Sequence, residues 1–229
     1  MFQSRVFTLY PEYFPGYLNK GLFGKAMDEG IWKLETVNIR DFALDKHKSV
    51  DDTPYGGGDG MVIKSDVLAN SLDANIRENE KIIYLTPKGK LFNHSYAKIL
   101  SKEKTLNIIC GHFEGVDERV IQSRNIEELS IGDYVLSGGE GAALIVLDAI
   151  LRFIPNVLGN ENSAHAESFE NGLLEYPQYT KPQIWDEKSV PEVLLSGDHA
   201  KIKDWRLLQS EAITRDRRPD LWQKYNKKN

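Results

Sequence analysis

Residues 131–141 read Ile-Gly-Asp-Tyr-Val-Leu-Ser-Gly-Gly-Glu-Gly, and this stretch decides more of the fold than any other. Its apolar and aromatic first part predicts a strand that stops at Ser137. The apolar segment 142–150 directly after the glycines predicts a helix. Such a turn exposes backbone N–H and C=O groups to a ligand, and a Cβ at Gly138 or Gly139 would obstruct that approach. A Gly-Gly pair on its own, however, is more often only a structural turn.

Further apolar segments predict an α/β layer. The expected strands are 5–9, 31–39, 81–85 and 105–110, and the expected helices are 18–28, 142–150, 200–212 and 219–224. Strands 81–85 and 105–110 are buried in character and each follows a helical stretch, which is typical of a largely parallel sheet. The fold class expected from these patterns is therefore α/β.

A change of character near residue 156 predicts the domain organisation. Segment 156–172 is polar and holds few large apolar side chains, so it predicts a connector that is mobile from about 158 to 171 without a partner. We therefore predict a first domain at 1–156, a flexible linker at 157–171 and a small, mainly helical C-terminal domain at 172–229.

Composition excludes several classes of protein. Hydrophobic residues make up 41% and charged residues 28% of the 229 residues, as in ordinary soluble globular proteins. The longest apolar run, 142–154, is interrupted by Asp148 and Arg152, so no membrane span is expected. No secretory signal is recognisable, and we expect a cytoplasmic location. Cys110 is the single cysteine, which excludes an internal disulfide and a cysteine-based metal cluster.

Charge is distributed unevenly along the chain. The net charge is −5, which argues against a general nucleic-acid coat protein. Residues 201–229 nevertheless carry nine Lys/Arg and four Asp/Glu, an excess of +5 against −10 for residues 1–200. A basic segment on an acidic body fits contacts with an RNA backbone at a few places, and it fits a solvated helix face equally well.

Seven strings of residues resemble one protein family. They occur in the family's order and span nearly the whole chain, at 45–61, 84–87, 110–119, 131–141, 152–155, 193–199 and 217–219. Through them the chain resembles the bacterial tRNA (guanine-N1)-methyltransferases, the TrmD family of the SPOUT superfamily. The resemblance implies methyl transfer from S-adenosylmethionine to N1 of the guanosine 3′ to the anticodon, tRNA position 37. It also implies a deep trefoil knot in the first domain and a homodimer whose active sites are shared between subunits.

The chemistry of N1 methylation requires two groups at the target base. N1 of guanine carries a proton at neutral pH, so a base must remove it, and positive charge must stabilise O6. By resemblance Arg152 is the cation, although it could instead stabilise a helix C-terminus. The family has an aspartate before Ser-Phe as the base. This chain has Glu167 there, so Glu167 is the predicted base and His165 the alternative.

The resemblance also implies the remaining site residues. The predicted cofactor-binding residues are Tyr84, Leu85, Thr86, Pro87, Gly111, Ile131, Gly132, Asp133, Tyr134, Val135, Leu136, Gly138 and Gly139. The predicted substrate-binding residues are Tyr55, Gly57, Gly58, Glu114, Ser168, Arg206, Arg217 and Arg218.

Three questions stay open at this stage. The family depends on Mg²⁺, but no metal-ligand spacing is recognisable, so no metal residue is assigned, and Glu114 is the best single candidate near the ion or the purine. His112 stands where some relatives have arginine, which leaves its role undefined. Two alternative functions are ribose 2′-O-methylation of RNA by the same type of fold and RNA binding by a dimer that has lost catalysis.

Overall fold

The structure is a computed structural model and describes residues 1–159 and 167–227. Contacts divide the chain into two compact units, Met1–Glu161 and Asn162–Asn229. The alternative base His165 lies outside the described residues, as does part of the segment that we expect to be mobile. The predicted domain bounds and the mobility of the linker therefore stay predictions.

The first unit contains a mixed arrangement of strands and helices. Its strands are β1 (Phe2–Thr8), β2 (Trp32–Asn38), β3 (Asp51–Asp52), β4 (Val62–Ile63), β5 (Lys81–Leu91), β6 (Thr105–Cys110) and β7 (Glu127–Ser130). Its α-helices are α1 (Gly21–Asp28), α2 (Ser65–Asn75), α3 (His94–Leu100), α4 (Glu118–Ser123) and α5 (Glu140–Leu151). Three single turns of 3₁₀ helix lie at Pro11–Tyr13, Gly16–Asn19 and Ile39–Phe42.

Five strands form one parallel sheet in the order β2-β1-β6-β5-β7. The central strand β6 is buried over five of its six residues, because its apolar side chains are covered on both faces of the sheet. One hydrophobic cluster includes Leu106, Ile108 and helix α5, and a second on the opposite face includes Ile109 and residues of helices α2 and α4. The prediction of an α/β fold with a mainly parallel sheet is confirmed.

Most of the predicted elements are present in the first unit. Strands β1, β2 and β6 match their predictions to within a few residues, and β5 continues six residues past its predicted end at 85. Helix α5 begins at Glu140, two residues earlier than predicted, and it is buried on most sides, as its nearly uniform apolar sequence requires.

The strand predicted at 131–136 is wrong. Strand β7 ends at Ser130, and the following residues form a loop up to Gly139. The Ser130 side chain explains the end of the strand, because its Oγ accepts from the Gly132 amide at 3.2 Å and donates to the Gly132 carbonyl at 3.1 Å. These local bonds compete with the sheet, and Gly132 has a φ of +151°. Apolar periodicity alone carries no information about such a turn.

A polar cluster ties β5, β7 and α3 together. Glu127 accepts hydrogen bonds from Lys81 and from the hydroxyl of Tyr96. Burial by itself raises the pKa of Glu127, but the bonds from Lys81 and Tyr96 outweigh it, so the pKa of Glu127 lies below its ordinary value. The cluster therefore contributes stability that depends on pH.

The second unit is mainly helical among its described residues. It contains α6 (Glu192–Leu195), α7 (His199–Arg217), α8 (Pro219–Asn226) and a hairpin of β8 (Ile184–Trp185) and β9 (Lys188–Ser189). The predictions of α7 and α8 are confirmed, whereas the hairpin was not predicted. Thr214 on α7 is buried and its Oγ1 accepts from the Leu174 amide at 2.8 Å, which anchors the preceding segment on this helix. No helix within residues 1–159 and 167–227 is long and apolar enough to span a membrane.

Candidate functional site

A cavity of about 270 Å³ lies beside the ends of β6 and β7 and an irregularity in β5. Pairing of β5 with β7 shifts between Leu85 and Lys90, so four residues bulge out of the ladder. A Cβ at Gly89 would lie 2.2 Å from the Leu129 amide nitrogen, so glycine permits this close pairing. The ends of parallel strands are the usual place for a ligand site in an α/β fold.

The cavity gathers almost all of the predicted cofactor-binding residues. Those that line it are Tyr84, Leu85, Thr86, Pro87, Gly111, Ile131, Gly132, Tyr134, Val135, Leu136, Gly138 and Gly139. Asp133 is not among the lining residues, although both of its neighbours are. Of the predicted substrate-binding residues, Glu114 also lines the cavity.

Sequence reasoning missed several residues of the wall. They are Lys88, His112, Phe113, Gly115, Leu129, Ser130, Ser137 and Ala142. Most of them lie inside or directly beside the strings 84–87, 110–119 and 131–141. Position within these strings was therefore the only available signal, because none of these residue types is by itself diagnostic of ligand binding.

The packing of the chain itself requires glycine at positions 138 and 139. A Cβ at Gly139 would lie 2.7 Å from Cys110 Cα, and one at Gly138 would lie 2.3 Å from Cε1 of His112. The Gly139 amide donates to the Gly111 carbonyl at 3.0 Å, which joins two of the cavity loops. The expectation that a Cβ here would obstruct a ligand stays a prediction, and the structure adds that such a Cβ would already meet protein atoms.

A buried carboxylate lies beside the glycines. Glu140 is only 4% exposed and is the first residue of α5, where the helix dipole favours negative charge. Its Oε1 accepts from Thr8 Oγ1 at 2.5 Å, and Nε2 of His112 lies 2.8 Å from Oε2 and 2.9 Å from Oε1. Burial, together with the charge of Glu140, raises the pKa of the Cys110 thiol well above its ordinary value.

The glycine-rich segment contacts the cavity wall through Glu114. The glycines at 56, 57, 58 and 60 all have positive φ, a conformation that glycine adopts without strain. The Glu114 amide donates to the Met61 carbonyl at 2.9 Å, and a Cβ at Gly60 would lie 2.5 Å from Glu114 Oε1. Tyr55 is completely exposed. Tyr55, Gly57 and Gly58 do not line the cavity itself.

The two predicted catalytic residues lie in different units. Arg152 is half-buried and caps the C-terminus of α5 in the first unit, and it does not line the cavity. Glu167 and Ser168 belong to the second unit, where Ser168 Oγ accepts from the Glu175 amide at 2.9 Å. The catalytic roles of Arg152 and Glu167 therefore stay predictions.

A second cleft, of about 450 Å³, lies in the second unit. The guanidinium of Arg206 lies 4.8 Å from the ring centroid of Tyr176, and both residues line the cleft together with Lys181. The wall that the structure describes holds these two cations and no Asp or Glu. Arg217 is the last residue of α7, and Arg218 forms a bidentate pair with Asp220 at 2.7 and 2.8 Å.

The first cavity fits S-adenosylmethionine in its chemistry. A nucleoside with an amino-acid tail requires apolar surface for the purine and backbone donors and acceptors for the polar groups. The cavity supplies the apolar surface through Leu85, Ile131 and Ala142. Its glycine-containing loops supply the backbone donors and acceptors. No group of three His, Cys, Asp or Glu side chains within the described residues could hold a metal ion, so the structure identifies no ligands for Mg²⁺.

Comparison with known proteins identifies the family of the chain. A family model described as "tRNA (Guanine-1)-methyltransferase TrmD" matches residues 2–224. A tRNA (guanine-N(1)-)-methyltransferase of Pelagibacter ubique is 69% identical over 99% of this chain and 100% of its own length. Proteins of the same name from Bartonella henselae and Brucella melitensis are 58% and 54% identical over 99% of this chain, covering 97% and 93% of their own lengths. The chain therefore belongs to the tRNA (guanine-N1)-methyltransferase family.

Proposed function

We propose that the protein transfers the methyl group of S-adenosylmethionine to N1 of the guanosine 3′ to the anticodon, position 37 of tRNA, and forms N1-methylguanosine. The observation that carries this proposal is the 69% identity, over 99% of this chain and 100% of the relative, to a protein named for guanine-N1 methylation of tRNA. The cavity described above supports the choice of donor, because it gathers twelve of the residues through which such a donor would be bound.

S-adenosylmethionine supplies an electrophilic methyl group when it is bound. The loops at 84–88, 111–115 and 130–139 would hold it through backbone groups, and the apolar wall would exclude water from the transfer. Glu114, which joins this wall to the glycine-rich segment, would contact the guanine base. We assign Tyr55, Gly57 and Gly58 to the same rim on the basis of the family resemblance.

Two side chains would carry the charge changes at guanine. Glu167 would accept the proton of N1, which frees the lone pair for attack on the methyl group. Arg152 would donate hydrogen bonds to O6 as negative charge develops there. The extra methylene of glutamate, relative to the family's aspartate, moves the carboxylate by more than one ångström on a fixed backbone. His165 is the alternative acceptor, and the two assignments are separated by substitution.

The second unit would bind the RNA. The cleft with Arg206, Tyr176 and Lys181 offers both a stacking surface and positive charge, the two features that unpaired nucleotides require. Arg217 would contact a phosphate. Arg218 is held by Asp220, so its contribution to phosphate binding would be the smaller of the two. Ser168, which follows Glu167 in the second unit, would contact the RNA substrate as well.

We further propose the family's quaternary and knotted architecture for this chain. The first domain, 1–156, would contain the trefoil knot, and the linker 157–171 would carry Glu167 to the cavity of the partner subunit in a homodimer. The parallel sheet supports this only at the level of the fold class. We propose a cytoplasmic location, where tRNA is found. The Mg²⁺ requirement comes from the resemblance alone, and no step of the reaction is assigned to it.

The proposed activity is tested with two tRNA transcripts that differ only in guanosine or adenosine at position 37. S-adenosylmethionine labelled in its methyl group should label only the guanosine transcript. Equal labelling of both transcripts would favour methylation at another site, such as a ribose 2′-hydroxyl. Absence of label in both, from a folded protein that binds tRNA, would favour a non-catalytic RNA-binding dimer.

The shared active site is tested by mixing two inactive variants. Glu167→Ala should bind S-adenosylmethionine normally and methylate poorly. Leu136→Arg should lose the cofactor, because Leu136 lines the cavity and is exposed enough for the longer side chain to fit without a clash in the core. The heterodimer should regain up to about half of the activity, since one of two sites is complete. A heterodimer as inactive as both parents would contradict shared sites, and loss of activity in His165→Ala but not in Glu167→Ala would reassign the base.

A further inference from the structure

The pair of His112 and Glu140 has no part in the reaction steps above, although His112 lines the cavity. Both side chains are largely buried, with 13% of His112 and 6% of Glu140 exposed. A carboxylate in such surroundings needs donors, and the Thr8 hydroxyl and Nε2 of His112 supply them. The pair thus joins the ends of β1 and β6 to the start of α5.

The pair also packs against Gly138 in the turn before α5. Gly138 has no room for a Cβ, because Cε1 of His112 and Oε2 of Glu140 would lie 2.3 and 2.7 Å away. The Gly139 amide is bonded to the Gly111 carbonyl, directly before His112. A displacement of the His112 ring would therefore displace the loop at 131–139 together with the loop at 111–115.

The residue after His112 is held in a strained conformation. Phe113 has a φ of +58°, lines the cavity and is 49% exposed. An aromatic residue adopts this left-handed region only where its surroundings impose it. After Phe113, the Glu114 amide donates to the Met61 carbonyl at 2.9 Å and the Gly115 amide donates to the His112 carbonyl at 3.0 Å. Before Phe113, the largely buried side chain of His112 anchors the chain.

We propose that His112 is a positioning residue for the cofactor, and that it acts through the hydrogen bond from its Nε2 to the buried carboxylate of Glu140. The bond fixes the loop at 111–115, with Phe113 at the cavity wall, against the glycine turn. The donor at position 112, rather than the volume of the ring, sets the affinity for the ligand. This inference rests on the proposed function for the identity of that ligand, S-adenosylmethionine.

Two substitutions separate the donor from the ring. His112→Gln keeps an N–H donor at about the distance of Nε2 and loses the ring, whereas His112→Phe keeps the ring and loses the donor. Calorimetric titration with S-adenosylmethionine should show a loss of about tenfold or more in His112→Phe and of less than about threefold in His112→Gln. The methylation rate at saturating cofactor should change by less than about threefold in both, because the proposed role gives His112 no contact with a reacting atom. His199 is exposed, so His199→Phe is the control with the same chemical change. This variant should bind S-adenosylmethionine as tightly as the unmodified protein does.

Each result decides the proposal. Unchanged affinity in His112→Phe, or an equal loss in both variants, would overturn it and leave His112 a packing residue. If His112→Phe does not fold, Glu140→Gln carries the test, since a neutral acceptor bonds more weakly and should lower the affinity at least about threefold. Unchanged affinity in Glu140→Gln would then overturn it. If the unmodified protein does not bind S-adenosylmethionine, the proposed function fails as well. If the unmodified protein binds it and only the variants depart from expectation, the positioning role of His112 alone fails.

Discussion

Gly139→Ala should have two effects, a lower stability of the first unit and weaker binding of the cofactor. The new Cβ would lie 2.7 Å from Cys110 Cα and 3.1 Å from the Gly111 nitrogen, and both are backbone atoms that cannot rotate away. Relief of the clash requires the start of α5 and the end of β6 to separate by about half an ångström to one ångström, which also lengthens the bond from the Gly139 amide to the Gly111 carbonyl. Overpacking of this kind costs about 1–3 kcal/mol.

The assay is thermal unfolding together with calorimetric titration of S-adenosylmethionine. A loss of about 1–3 kcal/mol corresponds to a fall in Tm of roughly 2–12 °C for a chain of this length. Gly141→Ala is the matched control, since a Cβ there meets nothing within 4 Å and lies inside α5. It should raise the stability by up to about 1 kcal/mol and leave cofactor binding unchanged. Equal Tm and equal cofactor affinity in the two variants would contradict the close approach of Gly139 to Cys110.

Three further predictions concern single side chains. Arg152→Ala should lower the single-turnover rate by about a hundredfold or more with little loss of cofactor affinity, and lysine should restore it only in part, because a point charge lacks the guanidinium fork; an unchanged rate would reassign Arg152 to structure. Glu127 has a pKa below its ordinary value of 4.5 in the folded chain, so its stabilising contribution is complete above that value and is lost as the pH falls through the lower, folded pKa. Thermal unfolding of Glu127→Gln from pH 6 to pH 3 should show a weaker pH dependence than that of the unmodified protein, and parallel curves would contradict the assignment. Cys110 should resist a thiol reagent at pH 8 until denaturant is added, because burial and the charge of Glu140 raise its pKa, and rapid labelling of the folded protein would contradict its burial.

The elements with strong apolar patterns could be predicted from the sequence. Strand β6 and helix α5 are covered by protein over nearly their whole length, so their composition alone identified them. The order of the strands in the sheet was not predictable, because pairing of β1 with β6 joins residues about a hundred positions apart. The end of β7 was misplaced because one serine side chain bonds to its own loop.

The site was predictable to a similar extent. The resemblance located the three cavity loops, because their strings are long and specific. It could not identify the contact of His112 with Glu140, since the two residues are 28 positions apart. Neither the string around His112 nor the one around Glu140 indicates a hydrogen-bond partner for its residue. Sequence reasoning also attributed the glycine at 139 to the approach of a ligand alone, whereas a Cβ there would already meet the backbone of Cys110. Distances of this kind depend on packing in three dimensions, which no local pattern contains.

The most direct test of the proposed function is the identity of the modified nucleoside. Purified protein, S-adenosylmethionine and unmodified tRNA with guanosine at position 37 are incubated, and the RNA is digested to nucleosides and analysed by mass spectrometry against standards. The proposed function predicts N1-methylguanosine as the methylated product, located at position 37 by fragment mapping. A 2′-O-methylnucleoside, or no methylated nucleoside from protein that binds both cofactor and tRNA, would contradict it.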